Sequence, residues 1–371
     1  MRIAIDARLS YYVQAGITQY TLNLIRALAV VDQENDYRVF QRRPDPQTIV
    51  SQGNFRRVSL WSPAHHPLEQ YMLAVELALQ RKIDVVHCTD FIPPFYYRGR
   101  TVITVHDLAF LLYPHFLTRR SARYYGLIDR AVRHATHIIA VSEATKRDLV
   151  RLTGAPESKI TVIYEAAESI YYPIHEQTVL SQVQEKYHLP EQVIMFLGTI
   201  EPRKNLPTLI RAFSNLIAQY KLEVDLAIVG KQGWLYDDVY RQVEKLGLKD
   251  RVHFLGRVPT EDLPHLYNAS QMLVLPSYYE GFGLPPLEAM ACGVPVIVSD
   301  TAALSETVAD AALRVAPEDD EGLTVAMWRL LSDDGLRADM IAKGLKRAES
   351  FSWKRAAQET LEVYRKVAES G

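Results

Sequence analysis

Two doubly wound α/β domains in tandem are what this sequence predicts, and three observations carry the expectation. The chain has 371 residues, roughly twice the usual size of a domain. Short apolar, β-branched runs recur along it, separated by longer stretches of helical character. The runs are continuously apolar rather than alternating, as strands covered on both faces of a parallel sheet require.

In the first half the runs fall at 2–6, 37–40, 58–61, 85–88, 102–106, 138–142 and 160–164. In the second they fall at 193–198, 226–230, 252–256, 272–276, 294–299 and 313–316. Helical stretches between strands imply parallel βαβ crossovers, so each set reads as its own sheet. The seam lies near 170–190, where Tyr171, Tyr172 and Pro173 end one pattern and Pro190 precedes the next strand. The segment 352–368 carries a helical apolar face through Ala356, Leu361, Val363, Tyr364 and Val367.

Composition narrows the function classes. Hydrophobic residues make up 48% of the chain and charged residues 23%, which suits globular cores and excludes disorder. A net charge of −2 argues against nucleic acid as the partner. The first 171 residues hold 21 Lys and Arg against 16 Asp and Glu, and the remainder 21 against 28. The basic half suits an anionic acceptor or an anionic membrane surface, with ordinary surface variation as the alternative. Cys88 and Cys292 are the only cysteines, so neither a disulfide framework nor a zinc site is expected. The opening Met1-Arg-Ile-Ala-Ile-Asp runs straight into a strand without a signal-peptide core, and no run of apolar residues is long enough to span a membrane. A cytoplasmic protein is the expectation, peripheral at the inner membrane face where its basic half meets lipid.

In open α/β sheets ligands bind beyond the carboxyl ends of the strands, so chemistry is sought in the loops that follow them. The run 272–276 leads into Glu-Gly-Phe-Gly-Leu-Pro-Pro-Leu-Glu at 280–288. Gly281 and Gly283 permit a tight turn, and Pro285 and Pro286 suit the first turn of a helix expected over 286–291 and closed by Gly293. The helix start offers N–H groups to a diphosphate, and Glu288 can accept from a ribose diol, with Glu280 at the same mouth. A dehydrogenase fingerprint would need glycine where Pro286 stands.

After the run 193–198 come Thr199-Ile-Glu-Pro-Arg-Lys, where Arg203 and Lys204 can neutralise a leaving diphosphate; alone, they would read as an ordinary basic loop. His106 ends the run 102–106 and Asp107 follows it, a pair that also occurs in metal phosphohydrolases or as a structural strand end. Gly16 opens a helix after the first strand, and the backbone of Val258, after Gly256, is placed to meet a base. No Asp-x-Asp occurs, so no metal is implied, and the paired aspartates at 237–238, 319–320 and 333–334 read as solvated. Two further segments are candidate acceptor surfaces: 91–100, which mixes aromatics with arginines, and the basic set Arg119, Arg120, Arg123, Arg130 and Arg133, which also suits anionic lipid; a solvated or core-packing role is the equal alternative for both.

Glu280 and Glu288, with seven residues between them in EGFGLPPLEAMACGVPVIVSD, resemble the paired-glutamate motif of family 4 of the retaining glycosyltransferases. The resemblance runs over nearly the whole chain. It implies the GT-B arrangement: two Rossmann-like doubly wound parallel-sheet domains facing an interdomain cleft. The N-terminal, acceptor-side domain would comprise 1–172 plus a crossover helix in 352–371, and the nucleotide-sugar domain 173–351.

It further implies that Glu280 meets the hydroxyls of the donor sugar and Glu288 the ribose. Phe282, Gly283 and Leu284 line the donor at the helix start. His106 bonds a sugar hydroxyl, and Gly16 brings backbone N–H near the phosphate. The family often has Gly-Arg after the strand; here it is Gly198-Thr199, so Arg203 would supply that cation beside Lys204. The version GTIEPRKN resembles the mannosyltransferase-rich branch. The expected reaction is metal-independent transfer of a hexose, preferably mannose, with retention. The donor is GDP-mannose or a UDP-hexose, there is no cofactor, and the acceptor is a hydroxyl of a glycan or lipid-linked glycan. Alternatives are a nucleotide-sugar epimerase or phosphorylase on the same scaffold, or a non-catalytic sugar-nucleotide-binding protein.

Overall fold

The computed structural model describes all residues except 13–15, 65, 67, 81, 117–123, 234, 235, 370 and 371. Its chain divides into two compact units, one of Met1–Glu165 with Ser352–Gly371, the other of Ala166–Phe351.

Among its described residues the first unit is built on seven strands. They are β1 (Arg2–Asp6), β2 (Asp36–Arg42), β3 (Phe55–Leu60), β4 (Val85–Cys88), β5 (Thr101–Val105), β6 (His137–Ala140) and β7 (Ile160–Val162). They lie in the order β3-β2-β1-β4-β5-β6-β7, and every pairing is parallel. Among the described residues the α-helices include α1 (Gly16–Val31), α2 (Glu69–Ala78), α3 (Ala109–Leu112), α4 (Ile128–His134) and α5 (Glu143–Thr153). Strand order reverses between β1 and β4, which puts the switch point beyond Asp6 and Cys88.

The last helix, Trp353–Glu369, belongs to this unit and packs against α1. Its face of Ala356, Ala357, Leu361, Val363, Tyr364 and Val367 is buried. Tyr364 Oη sits 2.6 Å from His87 Nδ1, whose Nε2 is 2.8 Å from Thr104 Oγ1. Burial pulls His87 down to about 3, so it stays neutral between two hydroxyls.

The second unit carries β8 (Val193–Leu197), β9 (Asp225–Val229), β10 (Val252–Gly256), β11 (Met272–Leu275), β12 (Val296–Ser299) and β13 (Leu313–Val315). Their order is β10-β9-β8-β11-β12-β13, again all parallel, with the switch point between β8 and β11. Among the described residues its helices are α6 (Gln177–Tyr187) before β8, then α7 (Leu206–Tyr220), α8 (Asp237–Lys245), α9 (Leu263–Asn268), α10 (Leu284–Ala291) and α11 (Ala302–Val308) between strands, and α12 (Asp320–Ser332) and α13 (Asp334–Glu349) after β13. One apolar cluster, including Phe196, Phe213, Ile228 and Leu273, fills the layers on both sides of this sheet.

Each expected apolar run holds a strand, with ends displaced by a few residues. The run at 294–299 forms a strand only from Val296, because Pro295 has no N–H to give the ladder. The paired aspartates are partly caps: Asp319 Oδ1 accepts from Gly322 N at 2.8 Å and Asp333 Oδ1 from Leu336 N at 2.9 Å. In the aromatic segment 91–100 the core-packing alternative holds for two of the rings. Phe91 and Phe95 are buried in the first unit's core, and only Tyr96 among its aromatics is half exposed. Arg119, Arg120 and Arg123 lie outside the described residues. Among the described residues no helix is long and apolar enough to cross a membrane.

Candidate active site

The second unit's switch point brings two loops together, one after β8 and one after β11. The first begins at Gly198, against which Gly230 closes in from the end of β9. Gly230 has φ +145, and a Cβ there would lie 1.9 Å from the carbonyl oxygen of Gly198, so only glycine lets the two strand ends meet. The chain then makes a 3-10 turn over Pro202–Lys204 and enters α7 through Asn205. Asn205 Nδ2 donates to the carbonyls of Pro276 at 3.0 Å and Pro317 at 2.6 Å, tying this loop to the one after β11. Tyr278 N donates back to Arg203 O at 2.9 Å.

These ties place both expected cations on one carboxylate. Lys204 Nζ lies 2.6 Å from Glu280 Oε1, and Arg203 Nη1 lies 2.9 Å from Glu280 Oε2. Ser277 Oγ donates to Oε1 at 2.6 Å. Arg203 also reaches Glu201 Oε1 through Nη2 at 2.8 Å and Nε at 3.1 Å, and the carbonyl of Tyr279 at 2.9 Å. Burial alone would raise the Glu280 carboxyl, but the charges of Lys204 and Arg203 outweigh it and hold the group at about 2. The arrangement is formally balanced, two cations against Glu280 and Glu201. The cations are therefore held in place before any ligand arrives.

α10 starts beside this network. Its N-cap, Gly283, has φ +106, and a Cβ there would come 2.8 Å from Leu304 Cδ2. The helix begins at Leu284, two residues earlier than expected, because Pro285 and Pro286 fit within the first turn, where no N–H is required. Phe282 is buried, with its ring 5.5 Å from that of Phe351 and its carbonyl taken by Thr307 Oγ1 at 2.6 Å. One turn into α10, Glu288 Oε2 accepts from Tyr267 Oη at 2.9 Å, and the Glu288 charge also bears on the Tyr171 hydroxyl. Burial first, then the Glu288 charge, push both tyrosines up, so both remain protonated donors. Val258, two residues past the left-handed Gly256, is buried at the end of β10.

In the first unit Gly16 is the exposed first residue of α1, directly after 13–15. His106 follows β5 and has both ring nitrogens engaged, Nε2 with Thr89 O at 2.9 Å and Nδ1 with Glu165 Oε1 at 3.1 Å. Burial pulls the imidazole down, but the Glu165 carboxylate and the Thr89 carbonyl raise it above its ordinary value. The ring of Tyr20 meets it edge-on at 4.8 Å.

Sequence reasoning found Glu280, Arg203, Lys204 and Glu288, and the fold brings the first three into direct contact. It missed Glu201 and Ser277, which bond Arg203 and Glu280, Tyr267, which bonds Glu288, Tyr171 near the same carboxylate, and Glu165, which pairs with His106. Glu201 and Ser277 stand within three residues of a chosen residue and could have been reached by asking what pairs the cations. The tyrosines and Glu165 carry no such local signal.

Comparison with known proteins gives this arrangement its context. Residues 15–167 match the model of "Glycosyltransferase Family 4", and 181–347 that of "Glycosyl transferases group 1". The chain is 32% identical to O-antigen chain mannosyltransferase B of Escherichia coli, over 95% of this chain and 97% of that one. It is 30% identical to O-antigen chain mannosyltransferase RfbU of Salmonella typhimurium, over 82% and 84%. Serotype-specific mannosyltransferase WbdA of Escherichia coli is 29% identical over 73% of this chain but only 34% of its own length. Among solved structures, sucrose-phosphate synthase from Thermosynechococcus elongatus superposes with a TM-score of 0.81 at 22% identity, over all of both chains. HepE from Anabaena, in complex with UDP and glucose, gives 0.77 at 21% over 98% and 99%; at such identities these two speak for the GT-B fold alone. With a motif-bearing loop set at the switch point, both halves matched, and a full-length relative above 30% identity, the chain belongs to the group 1, family 4 glycosyltransferases of the GT-B fold, on their mannosyltransferase-like branch.

Proposed function

We propose that this glycosyltransferase moves mannose from GDP-mannose to a hydroxyl of a growing glycan, carried on a lipid at the cytoplasmic face of a membrane, with retention of anomeric configuration. The observation that carries the reading is the Arg203–Glu280–Lys204 cluster beside the N-terminus of α10. Departure of a nucleoside diphosphate builds negative charge, and two preset cations with a helix N-terminus stabilise it most in the transition state, without a metal. Glu288 takes the ribose hydroxyls, with Tyr267 fixing its carboxylate. Arriving phosphate oxygens compete with Glu280 for Lys204 and Arg203, which turns Glu280 oxygens toward the sugar hydroxyls. His106 bonds a sugar hydroxyl through a nitrogen that exchanges its protein partner. The leaving phosphate accepts the proton of the attacking hydroxyl on the same face of the sugar.

Mannose as the transferred sugar rests on the relatives that are mannosyltransferases by name. A UDP-hexose is the second donor reading. The test is a panel of GDP- and UDP-sugars, with proton NMR of the product's anomeric centre. Transfer from GDP-mannose to give an α-linked product is expected. Transfer only from UDP-sugars would overturn the donor assignment, and a β-linked product the retaining one. Conversion of the donor alone would indicate an epimerase, and release of sugar phosphate with inorganic phosphate a phosphorylase.

A further inference from the structure

The helix α2 has two unlike faces. Leu73 and Leu77 are buried in the first unit's core. On the other side Leu68, Tyr71, Val75 and Leu79, spaced three, four and four apart, are between 54% and 75% exposed. The stripe widens at both flanks. The ring of Tyr96 stacks on that of Tyr71 at 4.8 Å. Trp61, also largely exposed, lies alongside, its backbone N–H 2.6 Å from Glu76 Oε1. An apolar surface of this extent on a soluble unit marks a contact with something else.

Charge decides what that something is. The two glutamates of α2 face the unit's own donors, Glu69 toward Arg8 Nη2 at 2.8 Å and Glu76 toward the N–H groups of Trp61 and Ser62. The rim is cationic: Arg130 stands 4.2 Å over Phe95 and 5.8 Å from Tyr96, and Arg43 stands 3.9 Å over Trp61. Lys82 and Arg98, a few residues beyond Leu79 and Tyr96, are exposed. A second copy of the chain docked on this face by two-fold symmetry would bring the same cations against themselves. Trp and Tyr rings among cations, around a short apolar stripe, instead match the headgroup region of an anionic bilayer.

We propose that this face, formed by α2, Trp61 and Tyr96, docks the first unit on a bilayer containing anionic lipid, the stripe lying in the headgroup layer. It deepens the reading of a lipid-borne acceptor by naming the surface that meets the membrane, and rests on no part of the donor chemistry.

The test is flotation of the full chain with vesicles, without donor or acceptor. Vesicles of phosphatidylglycerol with phosphatidylcholine are compared with phosphatidylcholine alone. The wild type is expected to float with the anionic vesicles and to lose binding as salt is raised. Val75→Glu with Leu79→Glu should weaken it about tenfold or more, since two carboxylates enter an apolar, anion-facing surface. Val30→Glu with Val325→Glu, two exposed valines elsewhere, makes the same charge change and should bind like wild type. Lys82→Gln with Arg98→Gln leaves the stripe intact and should reduce the preference for anionic lipid; thermal unfolding checks each variant. No flotation of the wild type, equal loss in the control, or full binding by the stripe variant would overturn the proposal. So would a wild-type dimer that the stripe variant abolishes, which would assign the face to a second copy. Transfer to a water-soluble acceptor, measured separately, distinguishes failure here from failure of the transferase reading.

Discussion

Lys204 Nζ lies 2.6 Å from Glu280 Oε1, while Arg203 holds the other oxygen of the same carboxylate at 2.9 Å. The two cations proposed for the diphosphate are therefore positioned by the residue proposed for the sugar. Ground-state pairing and transition-state stabilisation draw on the same charges, and substitutions should separate them.

Lys204→Ala and Arg203→Ala should weaken binding of GDP far more than of guanosine. Each removes a charge-assisted bond worth roughly 2 kcal/mol, about thirtyfold in Kd. Calorimetry with both ligands decides; equal losses would mean that neither side chain meets the phosphates.

Glu280→Gln should act in the opposite sense on binding. With the carboxylate gone, Lys204 and Arg203 are released toward phosphate, so GDP should bind at least as tightly as to wild type. Turnover should fall by about 10²–10³, as for other positioned polar groups. A variant that lost GDP affinity along with turnover would show that Glu280 serves only to hold the cations.

The strands behind this network were legible because buried parallel strands write themselves as unbroken apolar runs, such as 193–198 and 272–276. Glu280 and Glu288 were legible because their glycines and prolines admit few backbone shapes. The support for Glu288 was not: Tyr267 and Tyr171 stand far from it in sequence and meet it only through the packing of α9 and the segment before α6. The aromatics at 91–100 left acceptor contact and core packing both open for the converse reason. A loop has no period to say which side is inward, and Phe91 and Phe95 turn into the core.

Glu288→Ala should raise the KM for donor with little change in kcat, since a ribose contact is the same before and during reaction. Tyr267→Phe should give a weaker version, about 1 kcal/mol, because it removes one hydrogen bond to the carboxylate and leaves its charge in place. Steady-state kinetics at saturating acceptor separates the two parameters. A fall in kcat alone for Glu288→Ala would move this residue to the reacting end of the donor.

Chelation with EDTA should leave transfer essentially intact, because Lys204, Arg203 and the start of α10 supply the positive charge that a divalent ion would bring. Activity abolished by EDTA and restored by Mn²⁺ would overturn that division of labour.

His106 offers a pH-dependent readout. A carbonyl can only accept, so Nε2 donates to Thr89 O, and Nδ1 is then free to carry a proton toward Glu165. The imidazolium is thus the form this site favours, and its pKa in the folded chain stands above the ordinary 6.5. For a group raised on folding, the stabilisation is fully present below the unfolded value and is lost as pH rises through the folded one. Wild-type unfolding midpoints should therefore fall from about pH 6.5 upward, relative to a Glu165→Gln variant that lacks the ion pair. His106→Gln should flatten the same window. It should also lower kcat by about 2–4 kcal/mol in barrier if the ring bonds a sugar hydroxyl in the transition state. Thermal scans across pH and steady-state rates on the same samples give both answers. A flattened stability profile with unchanged turnover would leave His106 as a strand-end pair to Glu165 and remove it from the chemistry.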